Sequence, residues 1–180
     1  MLFIQGGGPG VHDEWDNKLV ASLKRELGPR YDVLYPRMPN EADPSYAVWA
    51  PALAAEIAAL DDCAVLVGHS IGATILINAL ATVPMEATFS GILLIAPPYV
   101  GDGGWPSDEI ADMVDLGRRP ATTAPIFIYR GSNDDTVPAA HLDLYAKAIP
   151  RARIRSLRDR DHQLNNDLSE VAADIRALAS

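Results

Sequence analysis

Short apolar runs alternate along this chain with longer amphipathic ones, and that rhythm leaves it few folds to choose from. Leu2-Phe3-Ile4, Asp32-Val33-Leu34-Tyr35 and Ala64-Val65-Leu66-Val67 read as strands. Gly91-Ile92-Leu93-Leu94-Ile95-Ala96, Ile126-Phe127-Ile128-Tyr129 and Arg153-Ile154-Arg155-Ser156-Leu157 continue the series. The run at 64–67 is apolar at every position, as suits a parallel strand covered on both faces. Between the first two strands, Trp15, Leu19, Val20, Leu23 and Leu27 fall on one helical face, and Gly28-Pro29 stops that helix. Asp43-Pro44 opens a further helical run to Leu60, in which Pro51 predicts a kink or a fresh start. Helices are also expected at about 71–80, 107–116, 138–149 and 166–178. Alternation of this kind predicts an α/β architecture, a parallel sheet between two layers of helices. The 180 residues suit one domain spanning the whole chain. Ligands of such sheets bind beyond the carboxyl ends of the strands, so the residues just after each strand are where chemistry is sought.

Composition removes several classes of partner. Fifteen basic residues against twenty-four acidic ones leave a net charge of −9. Nucleic acid and anionic membranes both favour a positive surface, so neither is expected as a partner. A single cysteine, Cys63, excludes an internal disulfide and a cysteine-rich zinc site, and its place before a strand reads as a small core residue. No apolar run approaches the roughly 18 residues of a membrane span. Met1 to Gly10 carries neither a basic region nor a long apolar stretch, so a secretory signal is not expected. The expected location is the cytoplasm.

The third strand runs into Gly68-His69-Ser70-Ile71-Gly72, a G-x-S-x-G pattern between a buried strand and an apolar helix. A strand can turn that sharply into a helix only with a strained residue at the apex. Glycine is required at 68 and 72, where side chains would strike the neighbouring chain. The turn lifts the Ser70 hydroxyl clear of the sheet and aims the Ile71 N–H at an incoming oxyanion. A serine hydroxyl needs a base to become a nucleophile. Of the four histidines, His162 follows the last strand and is the expected base. His69 adjoins Ser70, but the turn points its side chain away, which makes it a packed residue or one wall of a pocket. His141, early in a helix, reads as a solvated or capping residue. His12, beside a glycine loop, reads as a pocket residue. The base in turn needs a carboxylate to hold its tautomer. Asp134 and Asp135, just past the fifth strand, both qualify, as against ordinary turn and capping duty.

The loop Gln5-Gly6-Gly7-Gly8-Pro9-Gly10 follows the first strand. A dinucleotide fingerprint starting at Gly6 needs glycine at position 11, where Val11 stands, and no G-K-[ST] follows. Alongside the serine elbow, the loop reads as a backbone donor to an oxyanion, with Gly7 the expected residue.

With these motifs together, the chain resembles the small members of the α/β-hydrolase superfamily that lack a large cap domain. The matching segments are Phe3-Ile4-Gln5-Gly6-Gly7, Gly68 to Gly72, Gly131-x-x-Asp134-x-x-Val137-Pro138 and Asp161-His162. The resemblance implies an α/β/α sandwich of about six parallel strands in the order 2-1-3-4-5-6. The order Ser70, Asp134, His162 matches that family's catalytic set, and the placement of the acid before Val-Pro selects Asp134 over Asp135. It implies no metal and no organic cofactor. Where many members carry His-Gly before the oxyanion residue, this chain has Gln5-Gly6, which leaves the second donor open between Gly7 and Gly8.

Residues 97–124 stand where larger members insert a lid. Tyr99, Trp105 and Met113 are candidates, with Gly8, His12 and His69, for the substrate pocket, as against a short helix that docks on the core. Arg151, Arg153 and Arg155 share one face of the last strand, and Arg158 and Arg160 follow. They read as a charged edge that discourages sheet association, with a basic rim for an acidic substrate group as the sharper alternative. The resulting expectation is a serine hydrolase that cleaves a small carboxylic ester or thioester through an acyl-enzyme. An amide or peptide hydrolase of the same fold is the near alternative, and a non-catalytic binding module the distant one.

Overall fold

The computed structural model describes residues 1–82, 87–110 and 123–178. Five parallel strands form its sheet in the order β1 (Leu2–Ile4), β2 (Ala64–His69), β3 (Phe89–Ile95), β4 (Ile126–Gly131) and β5 (Arg153–Leu157). Strand residues alternate between two cores. Leu2, Ile4, Leu66, Ile92, Leu94, Ile126 and Ile128 face α2 (Tyr46–Ala58), α3 (Ser70–Thr82) and α4 (Ala140–Ala148). Phe3, Val65, Val67, Leu93, Ile95, Phe127 and Tyr129 face α1 (Asn17–Leu27) and α5 (Ser169–Leu178). A sheet covered on both faces needs apolar residues at both parities, which is why β2 and β3 read as continuous apolar runs.

The expected strand at 32–35 is reduced to one bridge. Leu34 pairs with Leu2 outside β1, through Phe3 N–H to the Leu34 carbonyl at 2.9 Å and Leu34 N–H to the Met1 carbonyl at 3.0 Å. β1 offers only three residues to pair with, and Pro36 has no N–H to extend the ladder. Among the described residues, five strands and a bridge therefore stand where six strands were expected, in the expected spatial order.

That order places the site. The chain leaves β1 toward Leu34 on one side, then returns past β1 to build β2 to β5 on the other. Crossovers to parallel strands are right-handed, so the first step lays α1 on one face and the later steps lay α2, α3 and α4 on the opposite face. The direction reverses between β1 and β2. In sheets of this kind the loops after two such strands part at the reversal, and ligands bind there, outside the carboxyl ends.

Several boundaries differ from expectation. The first helix opens with a π-helical turn, Val11–Asp16, before α1. α2 runs through Pro51 as one α-helix. Proline there removes a single hydrogen bond, to the carbonyl of Ala47, an exposed residue. The last helix is preceded by a short 3-10 turn, Leu164–Asn166. Of the helix expected at 107–116, residues 107–110 lack helical structure and the rest lies outside the described residues. No helix among the described residues is long and apolar enough to cross a membrane.

Candidate active site

The elbow follows from local sterics. Ser70 has φ +51°, a left-handed conformation that costs a non-glycine residue energy and marks functional turns. A Cβ on Gly72 would lie 1.9 Å from the Gln5 carbonyl oxygen, and one on Gly68 would lie 2.7 Å from Ala73 Cα. Glycine at both positions lets β2 bend into α3 directly beneath the β1 loop.

The acid and base arrive on two loops that pack backbone to backbone. A Cβ on Gly131 would lie 2.1 Å from the Arg160 carbonyl oxygen, so β4 can end against the 160–161 chain only through glycine. Asn133 N–H donates to that same carbonyl at 2.8 Å. The buried Arg130 guanidinium braces the acid loop from below, donating to the carbonyls of Gly131, Asp134 and Val137.

The structure brings Ser70, His162 and Asp134 into one hydrogen-bonded chain. Ser70 Oγ lies 3.1 Å from His162 Nε2, and His162 Nδ1 lies 3.0 Å from Asp134 Oδ2. The other carboxylate oxygen, Oδ1, accepts the N–H groups of Thr136 and Val137, both at 2.9 Å. Burial works to raise the Asp134 pKa. The His162 hydrogen bond and the two backbone donors outweigh it and hold the carboxyl below the usual aspartate value. Asp135 is exposed and accepts from its neighbour Thr136, its one hydrogen bond among the described residues.

In the glycine loop, Gly8 N–H is occupied by the Glu41 carbonyl at 2.7 Å, while Gly7 N–H has no acceptor among the described residues. Ile71 lies in the first turn of α3, where backbone N–H groups lack intrahelical acceptors. The Gln5 side chain ties the loop to the 38–41 segment, accepting from Met38 N–H and donating to Glu41.

The remaining candidates separate. His12 stacks flat on Tyr35, with ring centroids 4.1 Å apart, and its Nδ1 meets Asp13. His69 is buried and lines no open space; it bonds Asp16 and the His162 carbonyl. Tyr99 is a core residue rather than a pocket wall, being 3% exposed and edge-on to Tyr145. Trp105 is partly exposed and leans edge-on against His141. Met113 lies outside the described residues. His141 itself is buried, not solvated, and its Nδ1 accepts Tyr99 N–H at 2.9 Å. Burial, and then the Arg130 charge, push its pKa below the ordinary histidine value. Cys63 is exposed, not a core residue, at a positive-φ turn before β2. Arg155 pairs with Asp174, and Arg160 with Asp167 and Glu170, so these two guanidinium groups brace α5. Among the described residues, no three His, Cys, Asp or Glu side chains gather closely enough to hold a metal ion.

One participant has no signal in the sequence. Asp16, at the end of the π-helical turn, is fully buried and accepts Gly6 N–H at 2.7 Å and His69 Nδ1 at 2.9 Å. Neither partner is near it in the chain.

Comparison with solved structures places this geometry among known folds. The B. subtilis ydeN gene product superposes with a TM-score of 0.73 at 16% identity, over 99% of this chain and 97% of that one. A protein described as a YdeN-like hydrolase from Pectobacterium atrosepticum gives 0.71 at 17% identity, over 99% and 91%. Est1E from Butyrivibrio proteoclasticus gives 0.70 at 16%, over 99% and 86%. At these identities the likeness establishes the fold, that of the α/β-hydrolases. No curated protein matches the chain in sequence. The model of the serine hydrolase family matches residues 9–167. Ser70 and its elbow, Asp134 and His162 all lie within that match, and the chain belongs to the serine hydrolase family.

Proposed function

We propose that the protein hydrolyses a small carboxylic ester or thioester through an acyl-enzyme formed on Ser70. The observation that carries this reading is the unbroken chain from Ser70 Oγ through His162 to the Asp134 carboxylate, with links of 3.1 and 3.0 Å. His162 Nε2 takes the hydroxyl proton as Ser70 Oγ attacks the acyl carbon. Asp134, acceptor-only when ionised, keeps the proton of His162 on Nδ1 and balances the imidazolium that forms. The oxyanion is held by the N–H groups of Ile71 and Gly7. Gly7 is favoured over Gly8 because the Gly8 donor is already engaged. One such donor is worth roughly 2.7–4 kcal/mol in the transition state. His162 returns its proton to the leaving group, then activates water to release the acid and restore Ser70.

Ester chemistry gains support from structural neighbours named as esterases, one of them described with ferulic acid, a carboxylic acid, bound. The test is intact-mass analysis after a fluorophosphonate, with Ser70→Ala alongside, followed by a panel of aryl esters, thioesters and amides. One adduct on wild type, absent in Ser70→Ala, and turnover on the esters is the expected result. A folded wild type that takes no adduct would overturn the reading. Faster cleavage of amides than of matched esters would replace the ester assignment.

A further inference from the structure

A second carboxylate–imidazole pair lies behind the first, and the mechanism above makes no use of it. Asp16 Oδ2 accepts from Gly6 N–H at 2.7 Å and from His69 Nδ1 at 2.9 Å, and Oδ1 accepts from Gln163 Nε2 at 3.2 Å. His69 Nε2 lies 3.2 Å from the His162 backbone carbonyl. The four partners sit on the three segments that carry the reacting groups. Gly6 directly precedes Gly7, His69 directly precedes Ser70, and Gln163 directly follows His162.

The protonation state follows from the partners. An ionised carboxylate and a backbone carbonyl can only accept, so both ring nitrogens of His69 must donate, and the ring is an imidazolium. Burial opposes that charge. The Asp16 charge and hydrogen bond outweigh burial and hold the His69 pKa above the ordinary histidine value. Asp16 is held below the usual aspartate value, because burial is outweighed by the His69 charge and by its three hydrogen bonds. Buried ion pairs are weak devices for stability, and fixed geometry is the better-attested return on their desolvation cost. The wide π-helical turn delivers Asp16 to this place.

We propose that the buried Asp16–His69 ion pair is a positioning device: it clamps the oxyanion loop and the carbonyl of His162 to the end of β2 that leads into Ser70, holding the base and the oxyanion donor in register with the nucleophile. This rests on the Ser70–His162–Asp134 reading. Asp16→Asn keeps the shape but removes the charge that keeps His69 doubly protonated, and a neutral His69 can donate to only one of its two acceptors. Loosened register costs transition-state stabilisation and leaves substrate binding in place.

The experiment compares wild type, Ser70→Ala and Asp16→Asn in fluorophosphonate labelling rate and in steady-state turnover of an aryl ester. A nitrogen-resolved NMR titration of the wild-type histidine rings accompanies it. Wild type that fails to label would overturn the triad reading itself, and the pair would have nothing to position. With wild type labelling at Ser70, the expected result is that Asp16→Asn lowers the labelling rate and kcat about 10- to 100-fold with KM within about threefold. Asp16→Asn that labels at the wild-type rate, or that changes KM alone, overturns the positioning role. Should Asp16→Asn not fold, the NMR decides. His69 is expected to keep both ring nitrogens protonated beyond the ordinary histidine midpoint of 6.5, and a midpoint at or below 6.5 overturns the proposal.

Discussion

Two carboxylate–imidazole pairs, Asp134–His162 and Asp16–His69, lie a few ångströms apart, and they differ in what stands beyond the imidazole. The His69 and His162 rings lie 5.0 Å apart, each with Nδ1 about 3 Å from an aspartate, at 2.9 and 3.0 Å. Beyond His162, Nε2 meets the Ser70 hydroxyl, which can give up a proton. Beyond His69, Nε2 meets a backbone carbonyl, which cannot. The first arrangement can take a proton from the hydroxyl onto the imidazole, and the second can only hold its charge in place. Exposure follows the same division, since the His162 side chain is 15% exposed and that of His69 only 2%. The same two residue types thus meet a proton donor in one place and only an acceptor in the other, according to the third partner.

The largest effect should come from breaking the Ser70–His162–Asp134 chain. Asp134→Asn is expected to lower kcat on an aryl ester about 10⁴-fold with the fold intact, because it favours the wrong tautomer of His162. Asp135→Asn should stay within about twofold, its carboxylate being exposed and off the chain. Damage from Asp135→Asn without damage from Asp134→Asn would reverse the assignment of the acid.

The next largest effect belongs to the clamp and appears in stability. Asp16→Ala leaves the His69 imidazolium buried without its counter-charge, which costs about 3–5 kcal/mol in comparable buried pairs. Asp134→Ala leaves His162 with access to water and should cost less. Urea denaturation of the two variants measures the difference. A larger loss for Asp134→Ala would mean that the two pairs differ less in character than their surroundings imply.

Dependence on pH sharpens the contrast further. The folded-state pKa of His69 is raised above its ordinary 6.5. Its contribution to stability is therefore complete below 6.5 and is lost as pH rises from there through the raised folded value. Asp16 and Asp134 are lowered from 3.8, so their contributions are present above 3.8 and are lost as pH falls through the depressed values. Denaturation of wild type should show an alkaline decline beginning above pH 6.5 that is shallower in Asp16→Asn. Identical alkaline slopes would show that His69 is not charged in the folded state.

The grouping of Ser70, His162 and Asp134 was legible in the sequence and that of Asp16 with His69 was not, and the reason is locality. The elbow declares itself within five residues, because the strand, the turn and the helix are all local consequences of Gly68 to Gly72. Asp134 and His162 are legible through their places after β4 and β5, and the choice between Asp134 and Asp135 came from resemblance. Asp16 and His69 stand 53 positions apart and meet only because a π-helical turn redirects Asp16. Nothing in the pattern of Val11 to Asp16 announces that turn. Burial of single polar residues was equally hidden. His141 looked solvated and is enclosed by Tyr99 and Trp105, while Cys63 looked enclosed and lies on an exposed turn. The expected second strand failed at its edge, where partner length and Pro36 outweigh the apolar pattern of 33–35.

The smallest expected effect isolates the third bond to Asp16. Gln163 Nε2 donates to Asp16 Oδ1 at 3.2 Å, but Gln163 Oε1 is buried with no partner among the described residues. Gln163→Met keeps the length of the side chain, removes that one hydrogen bond and also removes the unsatisfied acceptor. A hydrogen bond to a charged group contributes about 1.5–3 kcal/mol, and a buried unsatisfied oxygen costs about 1–3 kcal/mol, so the two nearly cancel. Stability should change by less than about 1 kcal/mol in either direction, with kcat within a few-fold of wild type. A loss above about 2 kcal/mol would mean that an ordered water completes Oε1, and the clamp would then extend through that water beyond Gly6, Gln163 and the His162 carbonyl.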